Sequence, residues 1–213
     1  MGALIGFFTD YQQNLWLDQF LSKVAYTPPA TLYLGLLTTR VTRLGITEVP
    51  STQTLNGFTD FTVDGTEKTR ITSASHPFDA ADRSVVVTGG AGWTPATYTI
   101  GSLTGGAANL SAAPAAAGAA GGTGNIIRST GYARVALPPG TFDAAVLGRT
   151  QNRVPIVLPA PTGAWGTIQA LGIFDAPTGG NLLAHISTTA PAVISAGDAP
   201  RTLAAGALTI SRT

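Results

Sequence analysis

GTIQALGIFDAPTGGNLLAHISTTAPAVISAGDAPRTLAAGALTIS, residues 166–211, is the stretch that decides the fold. Apolar residues fall on both faces of its first segment, a pattern typical of a strand in the middle of a sheet. One predicted face carries Ile168, Ala170, Gly172 and Phe174, and the other carries Leu171 and Ile173. We therefore expect a central strand here, with the rest of the domain arranged around it.

Turn residues follow this strand at once, in the run Asp175–Gly180. Pro177 fixes its own φ, whereas Gly179 and Gly180 accept the positive φ that tight turns require. The pattern then predicts a second strand over residues 181–187, a turn at 196–198 and a third strand over 205–210. The C-terminal part is thus predicted as three short strands joined by turns.

The composition favours a protein of short strands and many turns. The 213 residues include 26 glycines and 14 prolines, which are the residues that end strands and form turns. Only 11% of the residues are charged, against roughly 25% in an average globular domain. So few charges predict that part of the surface is buried against other chains.

Several functional classes find no support in the composition. The formal net charge is +1, without a basic run, so nucleic-acid binding is not expected. The chain has no cysteine, which leaves no disulfide framework and no thiolate metal site. No stretch approaches the roughly 18 apolar residues of a membrane-spanning helix, so no membrane partner is expected.

Near the N-terminus, the sequence predicts one helix and one strong strand. The helix spans residues 10–25, is capped by Thr9 or Asp10, and ends before Pro28. Its apolar stripe is formed by Leu17, Phe20, Leu21 and Val24 and is widened by Trp16. Two interpretations stay open: the helix packs on a sheet of its own chain, or it docks into a neighbouring subunit. ATLYLGLLTT, residues 30–39, is apolar on both faces and is predicted as a central strand beside the C-terminal ones.

Four segments together resemble one protein family. They are, in order, TPPATLYLGLLTT (27–39), STGYARVAL (129–137), WGTIQALGIFDAPTGGNLLAHI (165–186) and AGDAPRTLAAGALTIS (196–211). Their order and spacing are similar to those of a family of tailed-bacteriophage virion proteins, the tail fibre or minor structural proteins. The resemblance covers residues 1–50 and 127–213, and it implies a structural component of a phage particle.

Residues 51–126 are predicted as an inserted small β domain, since a structureless loop this long is unusual inside a compact domain. Strand signals occur at 70–74, 83–88, 97–100 and 108–111, so three to five strands are expected. PFDAADRSVVVTGGAGWTPATYTIGSLTGGAANLSAAP, residues 77–114, resembles a small β-module of phage tail and appendage proteins. The Ala/Gly-rich residues 112–124 are predicted as a return linker that is either flexible or extended along a neighbour.

The remaining residues, 1–50 and 127–213, are predicted as one discontinuous core domain. A strand over 126–137 would resume the core, and residues 154–158 would add another. About six to eight short apolar strands with Gly/Pro turns favour closure into two sheets. The predicted fold class is therefore mainly β: a jelly-roll-like β-sandwich with one N-terminal helix and an inserted small all-β domain.

Residues suited to catalysis or metal binding are few and scattered. His76 lies in a predicted turn, and His185 lies in an apolar strand, where a hydrogen-bonded structural role is favoured over catalysis. A zinc site needs three or four ligands at workable spacings, and the sequence offers no such cluster.

The acidic residues give equally weak chemical signals. Asp79 and Asp82 have the spacing of turn caps, with weak cation binding as the alternative. Asp60 and Asp64 alternate with apolar residues, as expected of solvent-facing positions at a strand edge, and a glycosidase-like carboxylate pair is the alternative.

Two small groups of residues remain as candidates for a defined role. Arg134, close to Tyr132 in the GYAR motif, is a candidate for a two-pronged bond to a buried carboxylate such as Asp175, with a surface arginine as the alternative. The aromatic rings that are candidates for stacking on sugars or contacting a partner are Trp93, Tyr98 and Phe78. The alternative for these three rings is that they form the small core of the insert.

The sequence therefore predicts a structural component of a bacteriophage virion and not an enzyme, with no catalytic residue, no metal site and no cofactor. We expect a homo-oligomer, a trimer, that contacts other virion proteins on the outside of the particle and is assembled in the host cytoplasm. A tail fibre or baseplate-associated appendage is preferred, and a capsid decoration (cement) protein is the alternative. A glycan-binding or glycan-cleaving module, with host surface glycan as its partner, and a host-encoded β domain of prophage origin also stay open.

Overall fold

The computed structural model describes residues 4–40 and 46–211, which divide into two compact units. One unit consists of residues 1–50 and 132–213, and the other of residues 51–131. The described strands, in chain order, are β1 (Leu4–Phe8), β2 (Leu32–Leu37), β3 (Thr52–Val63), β4 (Arg70–Ser73), β5 (Asp82–Gly89), β6 (Ala96–Thr104), β7 (Ala107–Leu110), β8 (Gly122–Ser129), β9 (Val135–Leu137), β10 (Arg149–Gln151), β11 (Ile156–Val157), β12 (Gly166–Phe174), β13 (Leu182–Ile194), β14 (Thr202–Leu203) and β15 (Leu208–Ser211).

The first unit is built on a seven-stranded sheet in the order β10-β15-β1-β13-β12-β2-β9. Neighbouring strands pair antiparallel, except that β1 runs parallel to β15. β12 lies between β13 and β2, which confirms that the segment after Trp165 forms an interior strand beside the strand predicted at 30–39. β11 and β14 form a separate two-stranded sheet, whose Ile156 and Leu203 join the same core.

The fold is mainly β, as predicted, but a jelly roll is not confirmed. A jelly roll arranges eight strands in a double sheet, whereas the described strands of this unit form one large sheet of seven and a separate pair. β1 has no counterpart among the predicted strands, and it lies between β13 and β15 in the sheet. The third C-terminal strand begins later than predicted, at Leu208, because Ala205 and Gly206 form a turn in which Gly206 has a φ of 75°.

One predicted face assignment in β12 is wrong. Ile168 packs in the main core with Leu171, while Ala170 and Phe174 belong to a separate, smaller cluster. The pairing of β12 with β13 shifts register between Ile168 and Ala170. Such an irregularity breaks the regular alternation of side chains, and the apolar pattern of the sequence does not reveal it.

The predicted helix is present, with a change of helix type in its second half. α1 (Asp10–Leu17) continues as a π-helical turn over Asp18–Ser22. Thr9 caps the N-terminus, as predicted, since its hydroxyl oxygen accepts a hydrogen bond of 3.4 Å from the N–H of Gln12. The helix ends at Lys23, which has a left-handed φ of 56°.

The apolar stripe of the helix does not pack on the rest of its own chain. Its members, called the helix surface below, are Leu17 (55% exposed), Phe20 (70%), Leu21 (75%) and Val24 (57%). The adjacent side of the helix contacts the unit instead: Gln12 is buried, and the Trp16 ring meets the Phe8 ring edge-on with 4.7 Å between centroids. The helix therefore packs on the sheet of its own chain, as the first of the two interpretations holds, but through Gln12 and Trp16 and not through these four residues.

The second unit is a closed barrel of six strands in the order β3-β4-β7-β6-β5-β8. This number exceeds the predicted three to five, because the polar strand β3 carries a weak strand signal and because the prediction assigns the strand from residue 126 onward to the core domain. The strand predicted over 126–137 is divided: β8 closes the barrel, and the core sheet receives only β9. The second unit accordingly extends to Gly131.

The Ala/Gly-rich segment packs on the barrel, which differs from both predicted alternatives. Ala115 and Ala119 pack against the barrel core. The N–H of Val63 donates to the carbonyl of Ala119 at 2.8 Å, and the N–H of Gly118 donates to the carbonyl of Asp64 at 3.0 Å. Residues 112–121 are therefore neither a free linker nor an arm, and residues 122–124 already belong to β8.

Candidate functional site: a buried arginine cluster

Arg134 forms a bidentate ion pair with a carboxylate inside the first unit. Its Nε lies 2.8 Å from Oε1 of Glu48, and its Nη2 lies 2.7 Å from Oε2. The Arg134 side chain is 5% exposed and that of Glu48 is 25% exposed. The prediction of a buried, two-pronged arginine is thus correct in geometry, but the partner is Glu48 and not Asp175.

The same guanidinium holds the turn between β12 and β13. Nη1 of Arg134 donates to the carbonyl oxygens of Ala176 at 2.6 Å and Gly179 at 2.8 Å. Asp175 acts within this turn, where its carboxylate accepts hydrogen bonds from the backbone N–H (2.6 Å) and the side-chain amide (2.8 Å) of Asn181. Arg134 therefore connects residue 48 to a turn that lies far away in sequence.

An aromatic ring lies beneath the guanidinium. Cζ of Arg134 is 3.5 Å from the centroid of the Phe174 ring, which is a cation–π stack. Below the ring lie two glycines of adjacent strands: a Cβ added to Gly35 or to Gly172 would come within 2.7 Å of Phe174 Cε2. The ring fits against the sheet only because both positions lack a side chain.

Tyr132 joins the ion pair to the sheet. Its hydroxyl donates to Oε1 of Glu48 at 2.5 Å and accepts a hydrogen bond of 2.9 Å from the N–H of Leu36. Its ring meets Trp165 edge-on, with 5.5 Å between centroids. Burial raises the pKa of the Tyr132 phenol, and the hydrogen bond to Glu48 raises it further. The phenol therefore stays neutral and keeps donating to the carboxylate.

These contacts make the arginine cluster (Gly35, Glu48, Tyr132, Arg134, Gly172 and Phe174) a device that holds structure. Each charge is neutralised by a partner at hydrogen-bond distance, and the guanidinium is covered by a ring and a turn. The geometry supports the fixing of the β12–β13 turn against the residues around Glu48.

The three aromatic candidates lie inside the barrel. Phe78, Trp93 and Tyr98 are 4%, 6% and 6% exposed and belong to one apolar cluster. The indole N–H of Trp93 donates to the carbonyl of Ala120 at 3.4 Å, and the hydroxyl of Tyr98 donates to the carbonyl of Thr94 at 2.9 Å. Their predicted contact with a glycan or partner is corrected accordingly: the rings build the barrel core.

A second charged group lies in the barrel wall. The Asp82 side chain is fully buried, with Nε2 of His76 3.0 Å from its Oδ2 and Nε of Arg128 3.5 Å from its Oδ1. Oδ2 also accepts the N–H of Asp79, and Asp79 accepts the N–H of Ala81 at 2.8 Å and pairs with Arg128. These bonds confirm the predicted turn-capping role of Asp79 and Asp82.

The remaining acidic candidates also bind local backbone groups. Asp60 accepts hydrogen bonds from the Ser73 hydroxyl at 2.8 Å and the Ser75 N–H at 2.7 Å. Hydrogen bonds from the N–H and the hydroxyl of Thr66 lower the pKa of Asp64 to about 2. Within residues 4–40 and 46–211, no three His, Cys, Asp or Glu side chains are grouped so that they could hold a metal ion.

His185 departs from its predicted hydrogen-bonded role. It lies half-buried on β13, opposite Phe7 on one side and Gly172 on the other. Burial lowers the pKa of its imidazole, and its Nδ1 has no hydrogen-bond partner among the described residues.

Comparison with known proteins agrees with a structural role. No helix in the described part of the chain is long and apolar enough to cross a membrane. No curated protein matches the sequence. One family model, described as podophage GP4 fiber I protein gp80, matches residues 7–106 and 103–211, which together include nearly all of both units. The chain belongs to this podophage fibre family and is a structural protein of a phage virion.

Proposed function

We propose that this protein is a trimeric component of a tail fibre or of a baseplate-associated appendage on the exterior of the particle. The observation that carries the proposal is the helix surface, whose four apolar side chains are more than half exposed in the single chain. Burying a side chain of this size stabilises a complex by about 1.5–3 kcal/mol. A second copy that covers the helix surface would therefore stabilise the complex substantially.

The spacing within the helix surface supports a contact between copies of the chain. Leu17, Leu21 and Val24 are separated by four and three residues, which is the spacing of the apolar positions that face each other in bundled helices. Residues 17–25 are all exposed, so this part of the helix is accessible to a neighbour. Three copies around one axis would allow each helix surface to be covered by a neighbouring copy.

The two alternative functions receive less support. The matching family is described as a fibre protein, which favours a tail appendage over a decoration protein of the capsid. Burial of Phe78, Trp93 and Tyr98 removes the rings on which a glycan-binding role of the insert depended. A tail appendage also predicts a low copy number, whereas a decoration protein is present in hundreds of copies per particle.

Light scattering on the purified full-length chain after size-exclusion chromatography tests the proposal. We expect the mass of three chains for the natural protein and of one chain for the double variant Leu17→Gln with Leu21→Gln. The matched control is Gln19→Ala, an exposed position on the same helix outside the helix surface, which should remain trimeric. A natural protein that stays monomeric at tens of micromolar would contradict the trimer. Quantitative mass spectrometry of particles would then separate the fibre from the decoration protein by copy number.

A further inference from the structure

An open cleft of about 240 Å³ lies beside the same helix. Its walls are mostly apolar and aromatic, and they include Phe8, Trp16, Tyr26, Pro29 and Leu32. All of these residues belong to the first unit. Apolar clefts of this kind are favourable places for a large apolar side chain, because they release water on filling.

The size of the helix surface indicates that it is not the whole interface. Four partly exposed side chains supply about 400 Å², whereas each partner of a stable interface buries about 800 Å². A stable trimer therefore needs further apolar area next to the helix surface. The cleft supplies this additional apolar area directly beside the helix surface, since Trp16 lines the cleft and Leu17, the next residue, belongs to the helix surface.

The chain carries both halves of a complementary contact. Phe20 is a large ring that is 70% exposed, and the cleft is an apolar recess of suitable size. A contact between a projection on one copy and a recess on the next is heterologous, and it closes into a ring when the rotation between copies allows it. A ring of three is then possible without any symmetric helix pair.

We propose that Phe20 of one copy inserts into the cleft beside Trp16 and Tyr26 of the next copy, so that three copies close a ring. This inference rests on the proposed trimer and specifies its contact. In this arrangement each helix contacts the cleft of the neighbouring copy. In the alternative, symmetric arrangement the helix surfaces contact one another around the axis. The partner is a second copy of this chain and not another virion protein.

Cross-linking between two single-cysteine variants tests the arrangement, since the natural chain has no cysteine. Gln19→Cys places a thiol beside the projecting ring, and Thr27→Cys places one beside the cleft-lining Pro28. Both residues are exposed, and both variants leave Phe20 and the cleft unchanged. The two variants are co-expressed with different tags as full-length chains and treated with a short bis-maleimide.

We expect a product that carries both tags, and little product from either variant alone. Adding Phe20→Ala to the Gln19→Cys chain should reduce the mixed product at least tenfold, whereas adding Ser22→Ala as a control should not. Efficient cross-linking of Gln19→Cys to itself would show symmetric helix pairing and would overturn the inference. A trimer by light scattering without the mixed product would also overturn it, while leaving the proposed trimer intact. A monomeric natural protein would remove both proposals.

Discussion

The guanidinium carbon of Arg134 lies 3.5 Å from the centroid of the Phe174 ring. In this position the side chain covers an aromatic ring with one face and directs its nitrogen atoms to Glu48 and to the β12–β13 turn. Stacking and bidentate pairing both need a planar guanidinium, which distinguishes arginine from lysine. The local structure of the first unit therefore depends on this one side chain.

Arg134→Ala should lower the free energy of unfolding by about 3 kcal/mol. The substitution leaves the partly buried carboxylate of Glu48 without its ion pair and releases two carbonyl groups of the turn, and breaking one side of a buried pair is costly. Urea denaturation followed by circular dichroism measures the change.

A conservative variant and a surface control sharpen this measurement. Arg134→Lys should also destabilise, since an ammonium keeps the charge but loses the two-pronged bond and the stack. Arg153→Ala, at an exposed arginine of the same unit, should change the stability by less than about 0.5 kcal/mol. Equal stability of Arg134→Ala and Arg153→Ala would show that the pair contributes nothing.

Gly172→Ala should destabilise the first unit by about 1–3 kcal/mol, although alanine is a small residue. The added Cβ would lie 2.7 Å from both Leu182 Cδ1 and Phe174 Cε2, so two buried side chains would have to move. Gly65→Ala is the matched control, because a Cβ there meets nothing within 4 Å. Thermal unfolding measures both variants, and equal melting temperatures would contradict the proposed packing of the ring on the sheet.

We expect the protein to lose stability in alkali, where the unfolded chain releases the phenolic proton of Tyr132. Its folded pKa is raised above the ordinary value of 10.0, so the folded state keeps the phenolic proton that the unfolded state loses. The contribution of the protonated Tyr132 phenol to the free energy of unfolding is fully present below pH 10, and it declines above pH 10 by about 1.4 kcal/mol per pH unit. Urea unfolding at pH 8, 10 and 11 measures this slope.

The variant Tyr132→Phe separates this effect from the titration of other groups. At pH 8 it should be less stable by about 1–3 kcal/mol, because the N–H of Leu36 and the carboxylate of Glu48 lose their partner. Above pH 10 its stability should fall less steeply than that of the natural protein. Parallel pH profiles for the two proteins would show that the phenol titrates normally in the folded state.

The strands of the first unit could be predicted because their sequences carry the signal. LYLGLL in β2 and GTIQALGIF in β12 are apolar on both faces, as interior strands require. β8 is harder to predict, because its first residues, 122–124, continue the Ala/Gly-rich segment that indicates a linker, while residues from 126 onward carry a strand signal. In the barrel, however, a Cβ on Gly124 would collide with the carbonyl of Val86 on the neighbouring strand. This glycine permits close approach, which only the assembled barrel makes visible.

The arginine cluster was predictable in part. The motif GYAR marked Arg134 as a candidate for a buried ion pair, but its partner lies 86 residues away. Glu48 reaches it because a β-bridge pairs residue 48 with Leu37, and no local pattern encodes that register. The helix surface was visible as an apolar stripe, whereas its exposure follows from packing that the stripe alone does not determine.

Asp82→Ala should destabilise the barrel by about 3–5 kcal/mol, the largest effect expected for a single charge in the chain. The carboxylate is fully buried, and its removal leaves His76 and Arg128 without their common acidic neighbour and the N–H of Asp79 without its acceptor. Glu67→Ala, at an exposed acidic residue of the same unit, is the control and should change stability by less than about 0.5 kcal/mol. Hydrogen exchange of the β5 and β8 amides localises the loss to the barrel. If these amides keep their natural protection in the Asp82 variant, the buried carboxylate does not stabilise the barrel wall.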